Sequence, residues 1–241
     1  MPQIGNKPMD QKVFHGGSTR WWPPRGDHIF LYKANPLRFK YFDRFMGSWK
    51  NVKVLDVGCG GGYACEYLAR CRAVVFGTDI MAESLQEARD HARENNLEIE
   101  YRLCTAEKLP FSDQTMDVVT CFEVLEHIPT KDQTICEIYR VLKPGGWLFF
   151  DTFNKTFWSK LLIIWLGEII IRFMPRGIHY WPLFIRPEDL KRLLEKSGFA
   201  SVEFGGIKSA RTAPEKGKYR VVISSKGNTA IIYFGAARKP I

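Results

Sequence analysis

The stretch Lys53-Val54-Leu55-Asp56-Val57-Gly58-Cys59-Gly60-Gly61-Gly62 decides the fold. Residues 53–57 form a short apolar run rich in β-branched side chains, the composition of a buried strand. The glycines at 58, 60, 61 and 62 follow at once and make a tight turn, where a ligand can approach bare backbone. Residues 63–70 read as a helix whose N-terminal amides face that turn. A strand, a glycine turn and a helix make the first half of a nucleotide-binding βαβ unit.

The turn is not a dinucleotide fingerprint. G-x-G-x-x-G counted from Gly58 needs glycine at 63, and Tyr63 stands there. Asp56, two places before the first glycine, would repel a pyrophosphate but not a ligand carrying an amine and a sulfonium. Asp79 closes the second apolar run, and a carboxylate there can accept two ribose hydroxyls. An acid before the glycines and an acid after the second strand resemble motifs I and II of the class I S-adenosylmethionine (SAM)-dependent methyltransferases. That resemblance implies cofactor contacts from Asp56, Gly58, Gly60, Asp79 and Ile80. It also implies contacts from Ala106 and Glu107, in the loop after the third strand where adenine sits in this fold class. A glycine turn kept only for packing is the competing reading.

The chain of 241 residues has no Ser/Gly/Pro-rich linker, so one large α/β domain is expected over 1–241. Hydrophobic residues are 45% and charged residues 25%, ordinary for a globular protein. The six cysteines contain no C-x-x-C pair and suit a reducing, cytoplasmic setting better than a disulfide or zinc framework. The first residues lack the apolar core of a signal peptide, and no run reaches the roughly 18 apolar residues of a membrane span. A formal charge of +9 favours an anionic partner, nucleic acid or lipid surface, without choosing between them.

Residues 1–18 read as a frayed end. Arg20-Trp21-Trp22-Pro23-Pro24 places two adjacent tryptophans that the core or a ligand must cover. Asn35-Pro36-Leu37-Arg38 opens a helix to about residue 46, with Pro36 in its first turn. This helical cap, about 20–50, would lie over the open end of the sheet and let Arg38 reach the SAM carboxylate; a solvated helix charge is the alternative. Helices are then expected over 81–96, 132–141 and 186–198, and strands over 74–78, 99–103, 116–121, 147–150, 201–204 and 229–237. Lys143-Pro144-Gly145-Gly146 stops the second of these helices. Strands alternating with helices imply a doubly wound, mainly parallel, seven-stranded sheet with an antiparallel finish. Ligands bind such sheets at the carboxyl ends of the strands.

The fourth strand leads into Phe122-Glu123-Val124-Leu125-Glu126-His127-Ile128-Pro129. If helical, Glu123, Glu126 and His127 share a face at i, i+3 and i+4. Two oxygen donors and an imidazole suit Mg2+ or another divalent cation, which would lower the pKa of a bound phenol from about 10. His127 acting as a general base without metal, and a purely structural role for the three, remain open.

The whole pattern resembles the ubiquinone-biosynthesis O-methyltransferases, which methylate polyprenyl catechols and phenols. Arg20-Trp21-Trp22, a gap, then Asn35-Pro36-Leu37-Arg38 is similar to that family's N-terminal signature. Residues 56–62, 123–127, 142–146 and Pro175-Arg176-Gly177-x-His179 match in order. The similarity covers about residues 20–205. It implies SAM contacts from Arg38, Gly58, Asp79 and Glu123, and a divalent ion at Glu123, Glu126 and His127. His127, Glu123 and His179 are the candidate catalytic residues. Three departures fall near the expected substrate wall: Ile178 in place of Thr, Tyr32 where His is frequent, and residues 208–214 where a Tyr-Asn-Pro element is usual.

Residues 153–187 are extra to a minimal methyltransferase sheet. Leu161 to Leu166 and Ile169 to Ile171 are strongly apolar, and Lys160, Glu168 and Arg172 fall within roughly a third of a helical turn as a narrow polar stripe. Such a helix suits an anionic membrane interface, with Trp158, Trp165 and Trp181 at headgroup level and Lys160, Arg172 and Arg176 near phosphates. A lid over a polyprenyl substrate, or a core helix, would show the same pattern. The chain is thus expected to be a SAM-dependent O-methyltransferase of a hydrophobic phenol, peripheral to the membrane. The alternatives are a metal-independent methyltransferase of another small molecule and a non-catalytic SAM- or quinone-binding subunit. A nucleic-acid enzyme is disfavoured, because Phe122-Glu123-Val124 stands where an Asn/Asp-Pro-Pro-aromatic motif would be needed.

Overall fold

The computed structural model of this chain describes residues 21–22, 29–171, 177–213 and 218–241. The frayed end, Arg20, Pro23, Pro24, Arg172, Pro175, Arg176 and Pro214 lie outside those residues. The chain enters as α1 (Ile29–Phe42) and then alternates. β1 (Lys53–Val57), α2 (Tyr63–Arg70), β2 (Val74–Asp79), α3 (Ala82–Glu94) and β3 (Ile99–Leu103) make the first half. β4 (Met116–Phe122), α4 (Lys131–Val141), β5 (Leu142–Phe153), α5 (Pro187–Lys196), β6 (Ala200–Ala213), β7 (Lys218–Ser224) and β8 (Asn228–Arg238) complete it.

The strands form one sheet in the order β3-β2-β1-β4-β5-β8-β6-β7. β1 to β5 pair in parallel, and β8, β6 and β7 close the sheet antiparallel. The doubly wound, mainly parallel architecture is the expected one, with eight strands among the described residues instead of seven. The addition is β7: β6 runs on past Phe204 and turns back as a hairpin, pairing Ile207 with Ile223 and Lys208 with Val222.

Alternation along each buried strand divides two cores. Leu55, Val57, Val119, Cys121, Leu148 and Phe150 face one layer, with Ile135 and Ile138 of α4 and Leu190 and Leu194 of α5. Val54, Val118 and Phe149 face the other, against Phe39 and Phe42 of α1, Cys65 and Leu68 of α2, and Leu85 and Ala88 of α3. Successive side chains of a strand point to opposite faces, so a strand covered on both sides must be apolar throughout.

Two local expectations change. Pro36 sits inside α1, not in its first turn. The lost backbone hydrogen bond is tolerated because Phe39 and Phe42, one and two turns on, are fully buried against the sheet. After β5 the insertion is wound as a π-helix, Lys160–Ile171. Its i→i+5 spacing is wider than an α-helix and turns side chains away from the faces that α-helical spacing assigns.

Candidate active site

The glycine turn joins β1 to α2 at the carboxyl edge of the sheet. Gly58 has φ +70° and Gly60 φ +52°, left-handed values that side chains resist. A Cβ on Gly58 would meet Val124 at 2.3 Å, and one on Gly60 would meet the Trp21 ring at 2.3 Å. The tryptophan pair is therefore a cover for the turn. The Trp21 amide and indole donate to Glu87 and Ser84, and Trp22 donates to the Gly61 carbonyl at 2.9 Å while stacking on His91 at 3.5 Å.

Both expected acids stand at this edge. Asp56 is buried and accepts from the Thr120 hydroxyl at 2.7 Å; burial raises its pKa to about 6. Asp79 accepts from the amides of Gly60 (2.8 Å) and Met81 (2.9 Å), and burial raises its pKa. Each carboxylate oxygen has two lone pairs, so these bonds leave Asp79 with capacity to accept further hydroxyls.

Arg38 is buried among acids. Its Nε donates to Asp151 at 2.5 Å, its Nη2 to Glu123 at 3.0 Å and its Nη1 to the Asn35 side chain at 2.9 Å, while the guanidinium lies over Phe122. Burial and the nearby Asp151 raise Glu123 to about pKa 7. Asp151, at the end of β5, was not singled out from sequence. The available signal was an acid closing an apolar parallel strand, as at Asp56 and Asp79.

The shared helical face of Glu123, Glu126 and His127 does not form. Glu123 has φ +55°, and Leu125–His127 is a single 3-10 turn. Glu123 points to Arg38, Glu126 accepts from Thr152 at 2.7 Å, and the His127 ring bonds the Ile178 backbone. Among the described residues no group of three or more His, Cys, Asp or Glu side chains is placed to hold a metal ion. The donor set does not fit the divalent cation. His127 is also a poor base, because burial and the neighbouring His179 lower its pKa to about 3.

Glu126 sets a pH test. It is fully buried, its Oε1 has no partner, and burial with nearby Glu123 raises its pKa to about 8. A folded-state pKa raised above the unfolded value gives stability that is full at low pH and lost as pH rises toward 8. Glu126→Gln should therefore match the wild type near pH 5 and be more stable at pH 9, on the order of 1–3 kcal/mol. Urea unfolding at both pH values checks this; equal wild-type stability at both would show that Glu126 does not hold a proton.

The sequence also missed Glu168. It does not belong to a solvent-facing stripe; it is 2% exposed and accepts from the Gly177 amide (2.7 Å), the His179 amide (3.0 Å) and His179 Nδ1 (2.7 Å). A lone acid in an apolar run was its signal, and π-winding hid its direction. His179 is stacked beside His127, ring centroids 5.2 Å apart.

A cavity of about 320 Å³ runs along this edge of the sheet. Trp21, Arg38, Asp56, Gly58, Gly60, Asp79, Ile80, Ala106 and Glu107 line one end, and Glu123, His127, Ile178 and His179 the other. Of the expected site residues, Glu126 is the one outside the lining.

Residues 55–150 match the family described as Methyltransferase domain. A possible histamine N-methyltransferase of Thermotoga maritima superposes with TM-score 0.62 at 17% identity, covering 88% of this chain and 91% of that one. The cyclase SpnF superposes with TM-score 0.60 at 21% identity, covering 86% and 82%, so the fold by itself does not fix the reaction. Fold, matching domain and strand-end site together define a SAM-dependent methyltransferase.

Whole-length relatives are more specific. The ubiquinone biosynthesis O-methyltransferase of Bordetella avium is 35% identical over 99% of this chain and 96% of its own length. That of Alkalilimnicola ehrlichii is 41% identical over 74% and 73%. The chain belongs to the ubiquinone biosynthesis O-methyltransferase family.

Proposed function

We propose that this chain, as one domain with a helical cap and an apolar insertion, methylates a phenolic oxygen of a hydrophobic quinone precursor at an anionic membrane surface. The observation that carries the reading is the shared cavity. Its cofactor end is built from β1, β2 and α1, and its other end includes Ile178 and His179, in the insertion beyond its π-helix. SAM supplies an electrophilic methyl carbon on a sulfonium sulfur.

The chain's own groups bind and align. Asp79 takes the ribose hydroxyls, and Ile80, Ala106 and Glu107 flank the adenine. Arg38 spends three of its five N–H groups on Asp151, Glu123 and Asn35 and offers the rest to the amino-acid carboxylate. Asp56 faces the amine side. Alignment of acceptor oxygen and methyl carbon supplies most of the rate. A divalent ion at Glu123, Glu126 and His127 lacks support in this geometry.

Two measurements test this. Asp79→Ala should weaken S-adenosylhomocysteine binding by about 1–3 kcal/mol in calorimetry, through lost hydrogen bonds to a charged group. NAD should not bind; equal affinity for NAD would overturn the cofactor assignment. A catechol bearing one isoprenoid unit should exceed bare catechol in kcat/KM by about tenfold or more, since each buried CH2 contributes about 0.8 kcal/mol. Equal kcat/KM for the two would remove the hydrophobic substrate from the reading.

A further inference from the structure

We propose that Glu168, from the apolar insertion, is a positioning residue that fixes His179 as the general base for the acceptor hydroxyl. The proposal rests on the O-methyl-transfer reading above and assigns its proton to a group.

Glu168 is a buried carboxylate, 2% exposed, within a run of apolar residues. Taking a carboxylate out of water is costly unless it is paired and hydrogen-bonded. Among the described residues it bonds to Gly177 and His179: Oε2 to the Gly177 amide, Oε1 to the His179 amide and to His179 Nδ1. A packing role alone would be met by Leu. Instead the acid orients one imidazole.

The chemistry follows from which nitrogen is used. A carboxylate at 2.7 Å from Nδ1 accepts its N–H, so Nε2 is the nitrogen with the free lone pair. The ring is held edge-on by Phe153 at 5.1 Å and beside His127 at 5.2 Å, and it lines the cavity that holds the cofactor end. His127 is no rival: its ring is tied to the Ile178 backbone. In the step, the acceptor O–H gives its proton to Nε2. The oxygen–methyl bond forms as the sulfur–methyl bond breaks, its electron pair staying on sulfur. S-adenosylhomocysteine, the methyl ether and an imidazolium facing the Glu168 carboxylate result.

The arrangement also links site and surface. Trp165, Ile169 and Ile170, all within three residues of Glu168, are exposed. A displacement of the π-helix relative to residues 177–179 would withdraw the carboxylate that sets the imidazole.

The first test is nitrogen NMR of labelled histidine in the ligand-free wild type, which needs no variant and no turnover. His179 should show the Nδ1–H tautomer; an Nε2–H tautomer overturns the proposal. The second is Glu168→Gln, with Glu168→Leu as the apolar control. Each should lower kcat at least about tenfold with KM and S-adenosylhomocysteine affinity nearly unchanged. Glu168→Leu should also shift the tautomer. A kcat within about twofold of wild type in Glu168→Gln, with cofactor affinity intact, overturns the positioning role. If the wild type has the Nδ1–H tautomer but turns over no phenol, the functional reading fails, and the base assignment with it, while the Glu168–His179 pair stands as structure.

Discussion

Arg38→Ala will destabilise the fold by about 3–5 kcal/mol, the cost of breaking a buried ion pair from one side. Arg38 is 4% exposed and Asp151 fully buried, with Glu123 as the second partner. Removing the guanidinium leaves two carboxylates close together in low dielectric. Both already have raised pKa values, with burial as the largest cause and Arg38 as the opposing one. Without Arg38 they rise further. Groups with raised folded-state pKa values lose their stabilising contribution as pH rises, so the deficit should be largest at alkaline pH and shrink as pH falls toward 5. Arg38→Lys keeps the charge but not the forked geometry and should recover part of the loss. Urea unfolding across pH checks this. A deficit below about 1 kcal/mol, or one that grows on acidification, would show that the cluster is not what holds α1 to the sheet.

Replacing Trp158, Trp165 and Ile170 together with Ser will abolish flotation with anionic liposomes. These side chains are 57%, 55% and 67% exposed, whereas Ile163 and Ile164 are partly buried. Among the described residues no helix is long and apolar enough to cross a membrane; the membrane association proposed above rests on this exposed patch. Burying each at roughly 1.5–3 kcal/mol gives ample attachment energy, to which Lys160 adds about 1 kcal/mol beside anionic lipid. Trp181, expected at headgroup level, is instead half-buried, with its indole on the Thr156 carbonyl and Lys160 over its ring. Since the three replaced residues lie on the surface, the melting temperature and S-adenosylhomocysteine affinity should hold. A variant that still floats would move the apolar patch from membrane to substrate or partner.

Much of the fold was legible because it is local. The apolar runs at β1 and β4, the glycine turn and the acids at strand ends each declare themselves within ten residues. Asp56, Gly58 and Asp79, read from such local signals, line one cavity. What was hidden is non-local or irregular. Arg38 meets Asp151 across 113 residues of sequence. Glu123 takes a left-handed backbone that breaks the helix on which a three-ligand metal set depended. Glu168 reads as a solvated charge at 3.6 residues per turn, and π-winding carries it inward to His179. β7 was readable in part, since residues 218–224 are rich in β-branched residues, but its pairing with β6 required knowing that β6 continues past Phe204.

Methyl transfer to a phenolic oxygen is tested most directly by mass spectrometry and NMR of the product formed by the purified chain from methyl-labelled SAM and a prenylated catechol. The prediction is a single labelled methyl ether, formed one for one with S-adenosylhomocysteine and lost in His179→Ala. Label on ring carbon, or no transfer by a protein that binds S-adenosylhomocysteine, would contradict it.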